Sequence, residues 1–303
     1  MIKLGLIDSG ELVATTKLIS ESDGSLENRL PAIAKGVEGL MTSYGISAKR
    51  LKGIGITLPQ VVDPVAKKMV SRYVKFADAG EVDFEGWAKQ TWGIPLALEN
   101  DAKAALWGEV QFGAGKGYSD VAIITLGTGV GSAAMLDGKL INGANFVGGN
   151  LIGHTVINVD GDLCNCGARG CVETEASGWA VHNKWKDHPG RVGSKLAEGE
   201  ITYRRVFQDA EDGDAFAIQI RDHALDIWAW VGYNIVHSID PKLLIVGGGI
   251  GNSADIIVPH IQKHLDKYTW LPEGSTQVVA AKDVDFAGAI GVADLARRAV
   301  RSS

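Results

Sequence analysis

All three cysteines of the chain, Cys164, Cys166 and Cys171, fall within eight positions. An odd number cannot all pair as internal disulfides, and C-x-C spacing strains a bridge between such close neighbours. Three thiols this close point instead to a metal site that lacks one ligand. Zinc in structural sites takes four nitrogen or sulfur ligands in a tetrahedron, and three cysteines with one histidine are a standard set. His154, ten residues before Cys164, is the expected fourth ligand. Gly167 and Gly170 would let the backbone curl so that the thiolates converge. Reduced, buried thiols without metal are the competing reading. The other six histidines (His182, His188, His223, His237, His260 and His264) lie in helical or loop contexts and carry no such signal.

The elements that must hold these residues belong to a water-soluble globular chain. Apolar residues make up 46% of it and charged residues 22%, the profile of a folded protein. Its 303 residues suffice for two ordinary domains or one large one. The formal charge of −6, with no basic block, argues against nucleic acid and anionic membranes as partners. No apolar run approaches the roughly 20 residues that span a bilayer. The first residues lack the apolar core and cleavage site of a signal peptide, so a cytoplasmic location is expected, where thiols stay reduced and available to metal.

Along the chain, Ile2–Asp8 and Glu11–Ile19 around Ser9-Gly10 read as a hairpin. Apolar residues at helical spacing predict a helix over Asn28–Tyr44. Gly53–Leu58 reads as a short strand halted by Pro59, Phe84–Trp92 as a helix, Pro95–Leu98 as a strand and Asp101–Phe112 as a helix. The pattern then begins again. Ser119–Leu126 and Gly131–Leu136 read as strands around a glycine turn, followed by Lys139–Ile141 and an irregular stretch over Asn142–Gly170. Asp214–Ile239 reads as a long helix with Trp228, Trp230 and Tyr233 on its packed face. Leu243–Val246 is a buried strand, and Ala254–Tyr268 and Phe286–Arg298 are helices. Strands meeting at hairpins and then alternating with helices, twice over, predict an α/β protein of two similar lobes.

Gly153-His154, the run CNCGARGCVE and Ser177-Gly178 together resemble the signature of the ROK family of sugar kinases and sugar-responsive repressors. Glu99-Asn100-Asp101 leading into AKAALWGE is similar to that family's E-N-D-A-N-x-A-A-x-G-E stretch. LGTGVGSA (Leu126–Ala133) looks like its phosphate loop, VGGGI (Val246–Ile250) like its nucleotide-contacting loop, and PQVVD at Pro59–Asp63 like its P-G-x-V-D turn. The motifs run in order over nearly the whole chain. The resemblance implies an actin-like (ribonuclease H-like) two-lobed sugar kinase fold with a zinc-binding loop, closing over sugar and ATP. The expected organisation is a small N-terminal lobe over residues 1–101, a large lobe over 102–286 with the zinc loop and nucleotide site, and a C-terminal helix over 287–303 packing back on the first lobe. ATP, Mg²⁺ and a structural Zn²⁺ are the implied cofactors, and a small-molecule sugar and a second copy of the chain the implied partners.

The implied chemistry fits the residues. Asp101 stands at a strand-to-helix junction, where a carboxylate can act as the base that takes the proton of an attacking hydroxyl. Helix N-cap is the competing reading for an Asp at such a place. By resemblance, Asn100, Asp101, His154 and Glu173 would hydrogen-bond the sugar, with His154 also on zinc. Gly127, Thr128 and Gly129, with Gly247, Gly248 and Gly249, would bring backbone N–H groups against phosphate oxygens. Taken alone, a glycine turn such as the first is more often a hairpin, and close packing is the competing reading for the second. Neither the Walker A pattern nor G-x-G-x-x-G occurs.

Two positions depart from the family. Its G-E-I-G-H carries a sugar-binding Glu, whereas this chain reads Asn150-Leu151-Ile152-Gly153-His154, and Gln60 replaces the glycine after Pro59. Both point to a substrate other than plain glucose, or to weakened sugar binding. The family's opening D-I-G-G-T strand is also absent before Ile2–Asp8. The register implies that a strand precedes Met1, and the form starting there is expected to be poorly stable and nearly inactive. An ATP-dependent carbohydrate kinase with Asp101 as general base is the leading expectation. A non-catalytic sugar- or nucleotide-binding ROK protein, either a pseudokinase or a regulator core needing another partner to reach DNA, is the alternative.

Overall fold

The computed structural model describes residues 1–71 and 76–302. In chain order it opens with β1 (Ile2–Asp8) and β2 (Glu11–Leu18), then α1 (Leu30–Ser43), β3 (Ile54–Leu58) and the short pair β4 (Val62–Asp63) and β5 (Lys68–Met69). Next come α2 (Phe84–Trp92), β6 (Leu96–Asn100) and α3 (Asp101–Phe112). A meander follows of β7 (Val121–Leu126), β8 (Val130–Leu136) and β9 (Lys139–Leu140). Helices α4 (Val172–Ala176), α5 (Val181–Trp185), α6 (Tyr203–Glu211) and α7 (Ala215–Ile239) lead to β10 (Leu243–Gly247). The chain ends with α8 (Ala254–Tyr268), β11 (Gln277–Ala280) and α9 (Ala287–Ser302).

These elements form two compact units. The first takes Met1–Lys116, Asn142–Gly148 and Asp285–Ser303; the second takes Gly117–Ile141 and Gly149–Val284. In the first unit, β1 and β2 pair antiparallel as the Ser9-Gly10 turn predicts, and β3 pairs parallel with β6. Helix α9 lies against α3 so closely that a Cβ on Gly291 would stand 1.8 Å from the Ala104 carbonyl oxygen. Asp294, buried at one end of this contact, accepts from the Trp107 indole at 3.0 Å and pairs with Arg297 and Arg298. A second cluster of Leu58, Val62, Phe84, Leu96 and Leu98 forms the core beneath β3 and β6.

The second unit is built on one five-stranded sheet in the order β11-β10-β7-β8-β9. Strands β11, β10 and β7 run parallel, while β8 and β9 are antiparallel additions. Strands buried on both faces need near-continuous apolar runs, and VAIITL of β7 and LLIVG of β10 supply them. Helix α7 covers one face with Ile220, Ala224, Trp228, Val231 and Ile235, all fully buried or nearly so. The expected inward placement holds for Trp228, at 0% exposure, but not for Trp230, which is 39% exposed. Trp230 instead packs edge-on against Tyr233 and His264 on the outer side of α7 and α8. No helix among the described residues is long and apolar enough to cross a membrane.

Candidate functional site

In the first unit the chemistry-bearing residues gather where β6 becomes α3. Asn100, in extended conformation, is the helix N-cap, and its Oδ1 accepts from the backbone N–H of Ala102 (3.0 Å) and Lys103 (3.1 Å). Its Nδ2 donates to the Gln60 carbonyl at 3.0 Å, so the amide also anchors the turn that carries Gln60. The capping role therefore falls to Asn100 and not to Asp101. Asp101 accepts the Ala102 N–H at 2.8 Å through Oδ1. The residue keeps solvent access while protein atoms crowd its carboxyl, and this desolvation outweighs the hydrogen bond and raises its pKa to about 6.

Lys103, one helical step on, is buried, and its Nζ donates to Asn142 Oδ1 (2.9 Å) and to the Phe146 carbonyl (3.0 Å). It thus ties the Asn142–Gly148 segment to α3 in a position where the family motif has Asn. Burial lowers the Lys103 pKa and raises that of Glu99, and each charge partly offsets the shift of the other.

In the second unit the four expected ligands converge. Ligand atoms of His154, Cys164, Cys166 and Cys171 all lie within 4.8 Å of one another. His154 Nδ1 is 3.6 Å from Cys164 Sγ, and Cys166 Sγ is 3.6 Å from Cys171 Sγ. A tetrahedral zinc with ~2.3 Å bonds to sulfur has edges of about 3.6–3.8 Å, so the donor set and its spacing fit that ion. The local fold explains the convergence. Gly167 N–H donates to the Cys164 carbonyl and Cys164 N–H to that of Ala168, closing a tight turn between the first two cysteines and the third. Gly170 has φ +67°, and a Cβ there would stand 1.5 Å from the Asn158 carbonyl oxygen, so only glycine fits. Burial, then its thiol neighbours, pushes the Cys171 thiol up to about 12. Deprotonating it calls for a cation close by.

Cys171 is the N-cap of α4, which places Glu173 two residues into that helix. Glu173 is buried and bridges two loops. Its Oε1 accepts the Val130 N–H at 2.6 Å and its Oε2 accepts the indole N–H of Trp179. Gly129 leaves room for this carboxylate, since a Cβ there would stand 2.7 Å from Oε1. Gly178 N–H donates to the Gly127 carbonyl and Trp179 N–H to that of Thr128. The glycine turn between β7 and β8 is therefore fixed in shape by the segment that follows the cysteines. Thr128 itself is exposed.

Strand β10 lies parallel beside β7 with Gly247 opposite Thr125, so both glycine runs leave the carboxyl ends of adjacent strands. Gly248 sits against the Leu126 backbone, and the run continues as a one-turn helix, Gly249–Ser253, into α8.

Three side chains in this unit carry no local sequence signal. Glu175 is buried and held by His223 at 3.6 Å, by Lys184 at 2.8 Å and by Asn158 Nδ2 at 3.2 Å, which together outweigh its burial and lower its pKa to about 2. It joins the cysteine loop to α5 and α7. Trp179 and Asn150 are the other two. Leu151, in place of the family's Glu, is 40% exposed.

The chain matches the ROK family over residues 1–299. It is 35% identical to the glucokinase of Thermotoga maritima over 70% of this chain and 69% of that enzyme. It is 32% identical to the glucokinase of Streptomyces coelicolor over 98% of this chain and 94% of that enzyme. Among solved structures, a ROK family glucokinase from Streptomyces griseus, in complex with glucose and AMPPNP, superposes with a TM-score of 0.81 at 30% identity. That likeness covers 97% of this chain and 95% of the other. With the family's motifs in order on the elements just described, the chain belongs to the ROK family and has its actin-like sugar-kinase fold.

Proposed function

We propose that this sugar kinase transfers the γ-phosphate of ATP to a hydroxyl of a hexose-type sugar, with Asp101 as general base. The observation that carries the reading is the division of labour at the start of α3. Asn100 caps the helix, which leaves Asp101 with one engaged oxygen and a pKa of about 6. A base of that strength is ionised at neutral pH and still able to accept a proton in the transition state. As the sugar oxygen bonds to the γ-phosphorus, the bond to the β,γ-bridging oxygen breaks. The hydroxyl proton passes to Asp101 and ADP leaves.

Asn100, His154 and Glu173 are assigned to sugar hydroxyls. Asn100 retains one amide N–H beyond the bonds that fix it, and Glu173 retains lone pairs beyond its two donors. Gly127, Thr128 and Gly129, with Gly247, Gly248 and Gly249, are assigned to the nucleotide, where oriented backbone dipoles stabilise charge on the phosphates; the Gly127 N–H itself is engaged by the Gly129 carbonyl at 3.0 Å and shapes the turn. Mg²⁺ is expected to arrive on the phosphates, where it offsets their charge, and no residue of this chain is assigned to it.

Zinc would be held by His154, Cys164, Cys166 and Cys171. All four of its positions would then be filled by protein, so it shapes the sugar site and does not activate water. The reading includes a homodimer in the cytoplasm, where thiols remain reduced. An ADP-release assay across a panel of hexoses tests it: sugar-dependent ADP formation is expected. Its absence for every sugar, with one zinc retained per chain, would overturn the kinase assignment.

A further inference from the structure

Lys103, in the first turn of α3, is 1% exposed and stands where the family motif carries an asparagine. A buried ammonium is costly unless both its donors and its charge are answered. One loop answers the donors. Nζ donates to Asn142 Oδ1 at 2.9 Å and to the Phe146 carbonyl at 3.0 Å. That loop closes on itself through the Gly148 N–H, which donates to the Asn142 carbonyl at 2.9 Å. Phe146 has φ +62°, a left-handed conformation that a bulky residue keeps only when its surroundings hold it. Glu99, also buried, answers the charge, and each of the two groups favours the ionised form of the other. Glu99 in turn accepts the Asn100 N–H at 2.8 Å, while Asn100 Oδ1 accepts the backbone N–H of Lys103 itself. One ammonium therefore supports both the loop and the junction that carries Asn100 and Asp101.

We propose that Lys103 is a positioning residue for the sugar-kinase reaction, a built-in cation that fastens the Asn142–Gly148 loop to α3 and holds Asn100 and Asp101 in place. This rests on the sugar-kinase reading above. A neutral side chain of similar length would fill the space but take away the donor to Asn142 and Phe146 and the charge that faces Glu99. A buried carboxylate left without that charge moves toward water or takes up a proton, and either change alters the acceptor of the Asn100 N–H. Asn100 is the cap that frees Asp101 from capping, so a shifted cap moves the base with it. An asparagine at this position reaches less far and carries no charge, so the device belongs to this chain and not to the motif.

The test uses the zinc-loaded chain, assayed well below the Tm of each variant. Lys103→Met keeps the length and deletes the charge and donors. It should lower kcat/KM about tenfold to a hundredfold, with kcat falling more than calorimetric sugar affinity, and should speed hydrogen exchange at the Gly148 amide. Lys103→Ala should show the same loss and regain at least fivefold in kcat/KM, saturably, with added propylammonium chloride, which supplies the missing atoms. Tetramethylammonium chloride at the same concentration should restore nothing. Asn142→Ala, which removes one acceptor, should cost about threefold to tenfold. Should the alanine variant at position 103 not fold, Lys103→Met and Asn142→Ala decide the matter. Exchange and sugar affinity are read without turnover, so a wild type that phosphorylates no hexose would sink the kinase reading while these two measurements still judge the role of Lys103. A Lys103→Met variant within about twofold of wild type, unchanged exchange at Gly148, or a folded Lys103→Ala variant that propylammonium does not improve would overturn it.

Discussion

Replacing Asp101 with Asn removes one proton acceptor and changes little else that the structure shows. The Asp101 Oδ1 accepts the Ala102 N–H at 2.8 Å, a bond that an amide oxygen can also accept. The helix cap belongs to Asn100 and stays in place. General-base catalysis is typically worth ~10²–10⁴-fold, so kcat should fall by about that range while sugar affinity changes by less than about threefold.

The raised pKa adds two signs to check. Folding lifts the Asp101 carboxyl from an ordinary 3.8 to about 6, so the charged form is less favoured in the folded chain than in the unfolded one. Between those values the folded state binds the extra proton, and stability contributed by this group rises as pH falls through 6. Above 6 the penalty is fully present. Asp101→Asn should therefore keep or slightly raise Tm at pH 8. Activity moves the other way, because only the ionised carboxylate accepts a proton. The kcat/KM of the wild type should fall about tenfold per pH unit below 6 and be level above it. The assay is ADP release from pH 5 to 9, with thermal melts at both ends. A mutant that retains more than a tenth of wild-type kcat, or a wild-type profile flat down to pH 5, would refute the role.

Metal analysis of freshly purified protein should give one zinc per chain, and stripping it should lower Tm and expose the cysteine loop to protease, since binding energy at such sites is folding energy. Gly170→Ala should cost the chain its zinc, because the new Cβ meets the Asn158 carbonyl oxygen in a loop already held at φ +67°; a variant with full metal content would contradict this. Trp179→Phe keeps the ring and deletes the donor to Glu173 Oε2. It should raise the sugar KM by about fivefold to tenfold with kcat changed less, and an unchanged KM would dissociate Trp179 from the sugar site.

What could be read from the sequence was local. C-x-C-G-x-x-G-C specifies its own fold, because the turn at Gly167 and the left-handed Gly170 bring the thiols together within eight residues. Helix α2 was legible to the residue because Asp83 caps it and Gly93, at φ +67°, ends it. The competition between Asn100 and Asp101 for the cap was not legible. Both residue types cap well, and the choice is made where β6, paired to β3, delivers Asn100 in extended conformation. The outward turn of Trp230 was hidden for a related reason: α7 carries apolar residues nearly all round, so periodicity does not mark its inner face. Glu175 acts through a contact with His223, and Glu173 through one with Val130 43 residues away, separations that no motif records.

The same long-range contacts explain why a kinase would carry a metal that touches no phosphate. Two of the four ligands sit at points from which structure propagates. Cys171 caps α4, and the next residue, Val172, donates to the carbonyl of Thr155, directly after His154. A metal clasping His154 to Cys171 therefore fixes both ends of one short path. Glu173 lies on that path, and its carboxylate reaches the Val130 N–H at the far side of the glycine turn. Trp179 closes the circuit, with its indole on Glu173 and its backbone on Thr128. On the proposed assignments, the sugar-binding carboxylate and the phosphate-binding turn would be two parts of one hydrogen-bonded frame, and a metal held by His154 and Cys171 would set the position of that frame. Loosening the metal displaces both together, so its loss should weaken sugar and nucleotide in parallel. An ion that merely stapled a surface loop would affect neither.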